Sequence, residues 1–161
     1  MAKDLHLVGF RIGKETFGVP ISLVHEIVRV PEITAVPDAP DFVEGVINLR
    51  GKIVPIVDLR KRFREREIAA NKKNRILVAE VEKKMVGLIV DAASEVIKVP
   101  HSEIEAPPNV FEEGELNYVT GVGKWQQRLI ILVDLTKVLQ RGELRRLGDM
   151  SNAQAAAAAS A

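Results

Sequence analysis

The sequence predicts a mainly β protein in which two small barrels pack on each other. Apolar residues make up 47% of the 161 residues and aromatic residues only 4%, so the core must consist of Val, Ile and Leu. Two of these are β-branched, and β-branched residues favour pleated strands. Two apolar runs flank a glycine-ended turn at Asn48–Gly51, which is typical of a buried β-hairpin. In addition, segments of the first half recur in the second half.

The repeat consists of two alignments. Gly18–Pro31 aligns with Gly87–Pro100 at an offset of 69 (87 − 18), and Val43–Leu59 aligns with Val119–Leu135 at an offset of 76 (119 − 43). The second offset is larger because the proline-containing loop is longer in the second copy. Two copies are too few for a solenoid. The repeat therefore predicts a pseudo-duplicated fold.

We expect one domain over residues 5–148, after a flexible N-terminus at 1–4. Its halves are predicted to span about 5–68 and 74–134, although the first strand is free to cross into the other half. A barrel of roughly 65 residues would be marginally stable alone. The halves therefore need each other's apolar surface and are expected to unfold together.

The first half begins with a strand over Leu5–Ile12, a polar turn at Gly13–Thr16 and a return strand that starts at Phe17. Ser22 is predicted to N-cap a short helical turn that runs through Glu26, since serine is a favoured N-cap residue.

Prolines delimit the segment that follows. An apolar run over Ile27–Val30 ends at Pro31, and Pro37 and Pro40 exclude regular structure around them. The chain then enters the predicted hairpin over Gly45–Arg60.

Two aspartates stand where they can cap helices. Asp58 closes the hairpin and is predicted to cap a short helix from Leu59 to about Arg64. Asp134 is predicted to cap a C-terminal helix over residues 135–147. The alanine-rich remainder, 149–161, buries too little surface to hold itself in place and is predicted to be disordered.

Composition and spacing argue against most kinds of active site. The net charge is +1 and there is no cysteine, so thiol chemistry and Cys-based zinc sites are excluded. His6, His25 and His101 lack metal-ligand spacing, and Gly121–Gly123 lacks the rest of a phosphate-binding loop. We predict no enzyme activity, no cofactor and no metal. The N-terminus lacks a signal-peptide core and no stretch could span a bilayer, so a cytoplasmic protein without membrane insertion is expected.

The stretch Gly45–Arg60, GVINLRGKIVPIVDLR, resembles the signature of the CheW family of bacterial chemotaxis coupling proteins, in which NLRG, an apolar run and VDLR follow one another. The resemblance extends from about Phe10 to about Leu139. It implies two five-stranded Src-homology-3-like barrels around a shared apolar core, with short helices. It also implies a non-catalytic adaptor, monomeric when free, that joins methyl-accepting chemotaxis receptors to the histidine kinase CheA in membrane-associated arrays.

Residues that occur in one half only are free to be functional. The turn at Asn48–Gly51 has Lys124–Gln127 as its counterpart, so Arg50 is either a recognition residue or an ordinary solvated turn arginine. The resemblance favours recognition, because the family uses this loop region and the first-half groove to contact receptors. It implies a receptor-binding set of Val24, Glu26, Gly45, Asn48 and Arg50.

Two members of this set are open to a structural explanation. Glu26 has Glu95 as its counterpart in the second half, so the shared carboxylate could serve the fold. Gly45 has Gly121, for which a close backbone approach is a sufficient reason.

The resemblance also implies an apolar barrel-to-barrel contact with the regulatory domain of CheA. Sequence does not identify its residues. The candidates are two predicted barrel edges, and the residues on them are Val86, Leu88, Val90, Leu129 and Ile131. Trp125 is predicted to be either a core residue or an exposed contact.

A cluster of basic residues supports an alternative function. It comprises Arg60, Lys61, Arg62, Arg64, Arg66, Lys72, Lys73 and Arg75. On a small barrel such a face could bind single-stranded nucleic acid, but Phe63 is the only aromatic nearby for base stacking. A solvated surface or a face for an acidic partner protein explains the cluster as well.

Overall fold

The computed structural model describes residues 4–37, 39–40, 42–63, 72–106 and 118–139. Among them, strands far outnumber helices, which confirms the mainly β fold. The elements are β1 (Asp4–Ile12), β2 (Glu15–Pro20), β3 (Val24–Arg29), β4 (Val43–Leu49), β5 (Lys52–Asp58), α1 (Leu59–Arg62), β6 (Arg75–Val81), β7 (Lys84–Val90), β8 (Ala92–Pro100), β9 (Ile104–Glu105), β10 (Val119–Trp125), β11 (Arg128–Val133) and α2 (Leu135–Val138). Short 3₁₀ turns at Ile21–Leu23 and His101–Glu103 precede β3 and β9.

The strands form two sheets. The order in the six-stranded sheet is β8-β1-β2-β11-β10-β9, and the order in the five-stranded sheet is β3-β6-β7-β5-β4. In the described residues the end strands of each sheet do not pair with each other, so neither sheet closes into the complete barrel that was predicted. The outer side of β4 is partly covered by Thr34, which forms an isolated bridge to Val46. The arrangement nevertheless matches two curved Src-homology-3-like sheets that share a core.

The sequence repeat is a repeat of structure. The order β8-β1-β2-β11-β10 repeats the order β3-β6-β7-β5-β4, and the one parallel pair falls at the same place in each, β2 with β11 and β7 with β5. The registers agree as well. Val8 pairs with Val96 and Leu77 pairs with Ile27, which are equivalent positions at the offset of 69.

The two sheets do not follow the two halves of the sequence. The first hairpin, β1–β2, joins β8, β10 and β11 from the second half, while the hairpin β6–β7 joins β3, β4 and β5 from the first half. Each sheet thus contains a hairpin from one half, with three strands from the other half in the five-stranded sheet and four, including β9, in the six-stranded sheet. This exchange extends the predicted crossing of the first strand to a whole hairpin.

Buried apolar residues form three clusters. The inter-sheet core lies between the sheets and includes Val8, Phe10, Leu77 and Leu88. A second cluster belongs to the five-stranded sheet, and a third belongs to the six-stranded sheet. The half-buried Trp125 packs on the third cluster, so it is a packing residue rather than a free contact.

Both predicted aspartate caps are confirmed. The Asp58 Oδ1 atom accepts a hydrogen bond of 2.9 Å from the Arg60 amide, and Asp134 Oδ1 accepts one of 2.9 Å from the Thr136 amide. The predicted continuations of these helices, to about Arg64 and to 147, lie outside the described residues, as does the tail at 149–161.

The predicted helical turn through Glu26 is wrong. Ser22 lies in a 3₁₀ turn without a side-chain cap, and Val24–Arg29 forms a strand that pairs with β6. Within the described ranges, every helix is too short or too polar to cross a bilayer.

Candidate docking site

The turn between β4 and β5 consists of only two residues. Leu49 pairs with Lys52, which leaves Arg50 and Gly51 as the loop, with φ angles of 53° and 85°. Two central residues with positive φ are the mark of a type I′ turn, whose twist matches that of the flanking strands. The Gly51 amide donates a 2.9 Å hydrogen bond to Asn48 Oδ1. The loop is therefore a rigid support for the Arg50 side chain, which is 81% exposed.

Arg50 is not free at the tip of this turn. Its Nη2 atom lies 2.9 Å from Oε2 of Glu26, whose side chain is 21% exposed. Glu26 lies on β3 and Arg50 follows β4, and these strands are the opposite edges of the five-stranded sheet. The ion pair therefore shows that the sheet curls far enough for an arginine side chain to bridge its two end strands.

The contact uses only part of the Glu26 carboxylate. The Oε1 atom is buried and has no hydrogen-bond partner among the described residues. A buried acceptor without a partner is costly, whereas an exposed ion pair contributes only about 0.2–1 kcal/mol. The exposed partner of this pair is Arg50, and its guanidinium is therefore accessible to contacts with another protein.

A β-bulge separates Val24 from Glu26. Val24 pairs with Ala79 and packs on the inter-sheet core, while Glu26 pairs with Val78, a residue of the cluster belonging to the five-stranded sheet. Directly paired residues lie on the same face of a sheet. The structure thus places Val24 and Glu26 on opposite faces of β3, and only Glu26 meets Arg50.

Gly45 has a packing role. It is buried, its φ angle is 151°, and a Cβ atom there would lie 2.3 Å from the carbonyl oxygen of Thr34. The inclusion of Gly45 as a surface contact is wrong, because the residue lies under the Ile33–Thr34 segment. Asn48 is exposed, but its side chain is already used by the turn.

The expectation of a barrel edge at Val86–Val90 is wrong. Strand β7 is hydrogen-bonded to β6 on one side and to β5 on the other, and Val86, Leu88 and Val90 are each 0% exposed. These side chains build the core and cannot reach a partner.

Strand β11 is also internal, between β10 and β2, and Ile131 packs on the inter-sheet core. Leu129 remains a possible contact because it is 59% exposed. Sequence reasoning missed the exposed apolar residues Val96 and Ile27 on the true edge strands β8 and β3. The repeat contained the signal, since these residues are equivalent at the offset of 69.

Arg60, at the start of the basic cluster, points inward. It is 6% exposed, and its Nε and Nη2 atoms donate to the two carboxylate oxygens of Asp58 at 3.0 and 2.9 Å. Its Nη1 atom lies 3.3 Å from Asn74 Oδ1 and 3.4 Å from Asp91 Oδ1. The hydrogen bonds that Arg60 donates to Asp58 raise the pKa of Arg60, so this arginine is permanently charged and fully engaged.

Other members of the cluster are also engaged within the protein. Arg62 donates to the Val138 carbonyl, and burial lowers its pKa. Lys61 pairs with Glu44, and Arg75 donates to two backbone carbonyls. Arg64 and Arg66 lie outside the described residues. The single-stranded nucleic acid alternative therefore loses much of the basic face on which it depended.

The described part of the chain contains no group of three or more His, Asp or Glu side chains placed to hold a metal ion. What it offers chemically is an exposed cation on a stiff turn and apolar side chains on two edge strands. Such features suit recognition of another protein.

Comparison with known proteins identifies relatives along nearly the whole chain. Residues 6–143 match the family described as "CheW-like domain". "Chemotaxis protein CheW" of Treponema pallidum is 34% identical over 152 residues, covering 92% of this chain and 89% of the relative. The protein of the same name from Klebsiella aerogenes is 35% identical over 135 residues, covering 84% and 81%.

A solved structure agrees with these relatives. The scaffolding protein TtCheW from Thermoanaerobacter tengcongensis is 38% identical and superposes with a TM-score of 0.77, covering 89% of this chain and 96% of that one.

Proposed function

The chain belongs to the CheW family of chemotaxis scaffold proteins, which are not enzymes, and from this premise we propose that it couples methyl-accepting chemotaxis receptors to the histidine kinase CheA. One surface holds the cytoplasmic tip of a receptor and a separate surface holds the regulatory domain of the kinase. The protein is cytoplasmic, monomeric when free, and recruited to membrane-associated receptor arrays.

The ion pair between Arg50 and Glu26 is the observation that supports the receptor contact most directly. The type I′ turn fixes the backbone of Arg50, so the entropy lost when a partner binds is confined to the side chain. Arginine pairs with carboxylates through a planar fork and also packs on apolar surface. A receptor carboxylate can compete with Glu26 for Arg50, because the arginine side chain is 81% exposed and accessible to a partner.

The kinase contact requires exposed apolar side chains, since the proposed contact is barrel to barrel. Leu129 is one of the kinase-contact candidates from the sequence, and its exposed fraction is 59%. It lies on the six-stranded sheet, whereas Arg50 and Glu26 belong to the five-stranded sheet. Receptor and kinase can therefore be bound by different sheets of one molecule.

Transmission of a signal requires more than tethering. An adaptor changes kinase activity only when its affinity for a partner differs between the signalling states. We propose that the receptor supplies this difference in affinity, because it competes with Glu26 for Arg50 in only one of its signalling states.

The charge reversal Arg50→Glu tests the receptor contact. It places two carboxylates next to each other, and we expect binding of a receptor tip fragment to weaken by about tenfold or more. Binding of the kinase regulatory domain should remain unchanged. Isothermal titration calorimetry with each partner measures both affinities.

The repeat supplies a matched control for this experiment. Gln126 occupies the same position in the β10–β11 turn and has a φ angle of 48°, so Gln126→Glu places the same carboxylate side chain on the same kind of turn. Wild-type receptor affinity of Arg50→Glu, or an equal loss in Gln126→Glu, would contradict the assignment.

The double variant Glu26→Arg with Arg50→Glu separates recognition from stability. It preserves an ion pair between the sheet edges but reverses its direction. If Arg50 itself contacts the receptor, binding stays weak in the double variant. Restoration of wild-type binding would instead assign the pair a purely structural role.

A further inference from the structure

A cavity of about 230 Å³ lies in the six-stranded sheet beside Asp134. Its walls are mostly apolar and include Leu5, Leu7 and Leu132, and Asp134 supplies its charge. For scale, an engineered apolar cavity of about 150 Å³ holds a benzene molecule. The space is therefore large enough for the head of a long side chain.

The structural repeat shows what fills the equivalent space in the other sheet. Val57 pairs with Leu88 and Asp58 pairs with Ile89. Adding 76 to the first residue of each pair and subtracting 69 from the second gives the equivalent positions, which are Val133 with Val19 and Asp134 with Pro20. Asp134 therefore corresponds to Asp58.

By the same offsets, Leu5 corresponds to Asn74 and Thr136 corresponds to Arg60. In the five-stranded sheet the space next to the capping aspartate is occupied by the guanidinium of Arg60, which donates to Asp58 and to Asn74. In the six-stranded sheet Thr136 is too short to reach this place.

Asp134 is left with part of its hydrogen-bonding capacity unused. Its Oδ1 atom accepts from the Thr136 amide, as Asp58 Oδ1 accepts from Arg60. Asp58 also takes two hydrogen bonds from the guanidinium, whereas no contact from a described side chain takes their place on Asp134. The half-buried carboxylate thus borders a cavity without the cation that its counterpart has.

We infer that this cavity receives the guanidinium of an arginine side chain from a partner protein, which pairs with Asp134 as Arg60 pairs with Asp58. Arginine fits because its fork binds a carboxylate at two points, while its stem packs along apolar walls. Free arginine fits less well, since the apolar lining has nothing to pair with its α-ammonium and α-carboxylate groups. The inference uses the proposed function only in assuming that a partner protein docks here.

Binding should be weaker and more reversible than the internal contact of Arg60. Leu5 stands in place of Asn74, and Ser22 stands in place of Asp91, so two of the acceptors around Arg60 have no carboxylate or amide counterpart. A reversible contact is what a signalling interface requires.

The test uses arginine blocked at both ends as N-acetyl-arginine methylamide, with blocked citrulline as its neutral isostere and blocked lysine as a point charge. Methyl NMR of Leu7 and Leu132 follows occupation of the cavity. We expect these signals to move with blocked arginine and at least about tenfold less effectively with either analogue. In Asp134→Asn the response to blocked arginine should fall by a similar factor, because the charge is lost while the cap is kept.

A second variant, Thr136→Arg, keeps the test informative if the first is poorly folded. It places an arginine at the position equivalent to Arg60, so the chain should fill its own cavity, gain thermal stability and lose the response to blocked arginine.

The inference is overturned if blocked arginine causes no shift of the methyl signals, if blocked citrulline binds equally well, or if Thr136→Arg binds blocked arginine as the wild type does. Tighter binding of free arginine than of blocked arginine would also overturn it, in favour of a small-molecule site. None of these measurements involves the receptor or the kinase, so their failure is distinguishable from failure of the proposed function.

Discussion

Replacement of Arg60 by methionine tests whether the buried ion pair holds the two halves together. Methionine retains an apolar stem of similar length but removes the guanidinium. The network of Arg60 reaches Asp58 at the start of α1, Asn74 before β6 and Asp91 between β7 and β8, and these residues come from both halves of the sequence. Its loss should therefore lower the stability of the whole domain.

The magnitude follows from burial. The side chains of Arg60 and Asp58 are 7% and 4% exposed, and removal of one member of a buried ion pair costs about 3–5 kcal/mol. Asp58 keeps the hydrogen bond from the backbone amide of residue 60, which places the expected loss near the lower end, about 3 kcal/mol. At an m value of about 2 kcal/mol per M urea, the unfolding midpoint should fall by about 1.5 M.

Urea unfolding monitored by circular dichroism and by fluorescence of Trp125 measures this loss. Lys61→Met is the matched control, because Lys61 lies on the same helix and its side chain is 59% exposed, and we expect a change within about 0.5 kcal/mol. The double variant Asp58→Asn with Arg60→Met should recover part of the loss, since no buried charge is left unpaired. A loss below about 1 kcal/mol in Arg60→Met would refute the reasoning.

Three further outcomes follow from the fold. Gly45→Ala should lower the free energy of unfolding by about 2 kcal/mol or more, because the new Cβ atom meets the Thr34 carbonyl oxygen. Gly121→Ala should lower it by less, since the nearest atom to its new Cβ is 3.2 Å away. Comparison of the unfolding midpoints of the two variants checks both expectations. Arg50→Asn should leave stability within about 1 kcal/mol of the wild type while weakening receptor binding, because Asn-Gly is a preferred type I′ sequence; equal loss of both properties would count against a recognition role. Fragments 1–68 and 69–161 should each lack a cooperative unfolding transition and should gain one when mixed, as thermal denaturation can show; a folded isolated fragment would contradict the hairpin exchange.

Features set by neighbouring residues were predictable from the sequence. The aspartate caps at Asp58 and Asp134 follow from the preference of short polar side chains for helix starts, and the turn at Arg50-Gly51 follows from glycine between two apolar runs. The family signature added the fold and the proposal that Arg50 is a recognition residue. Both kinds of information are local in the chain.

Features that depend on distant pairing were not predictable in this way. Ser22 favours a helix start, but pairing of the following residues with β6 outweighs that preference. The exchange of hairpins was hidden because the halves carry the same pattern, so either hairpin fits either sheet. The ion pair of Glu26 with Arg50 depends on the curl of the sheet.

The expectation of a free barrel edge at Val86–Val90 was avoidable. Val86–Val90 is a continuous apolar run, and such runs indicate strands buried on both faces. A free edge would have been expected to alternate or to carry charge. Exposed Val96, by contrast, resembles its buried neighbours Ile97 and Val99 in composition, and it is exposed because it lies on the opposite face of the same edge strand.

The exchange of hairpins has a consequence for biosynthesis. Val8 pairs with Val96, so strand β1 emerges 88 residues (96 − 8) before the strand that covers its edge. At about 5–20 residues per second of translation, the nascent chain exposes this apolar hairpin for roughly 4–18 seconds. During that time the ribosome-bound intermediate presents a strand edge open to neighbouring chains, and general chaperones are the expected protection until β8 has been made.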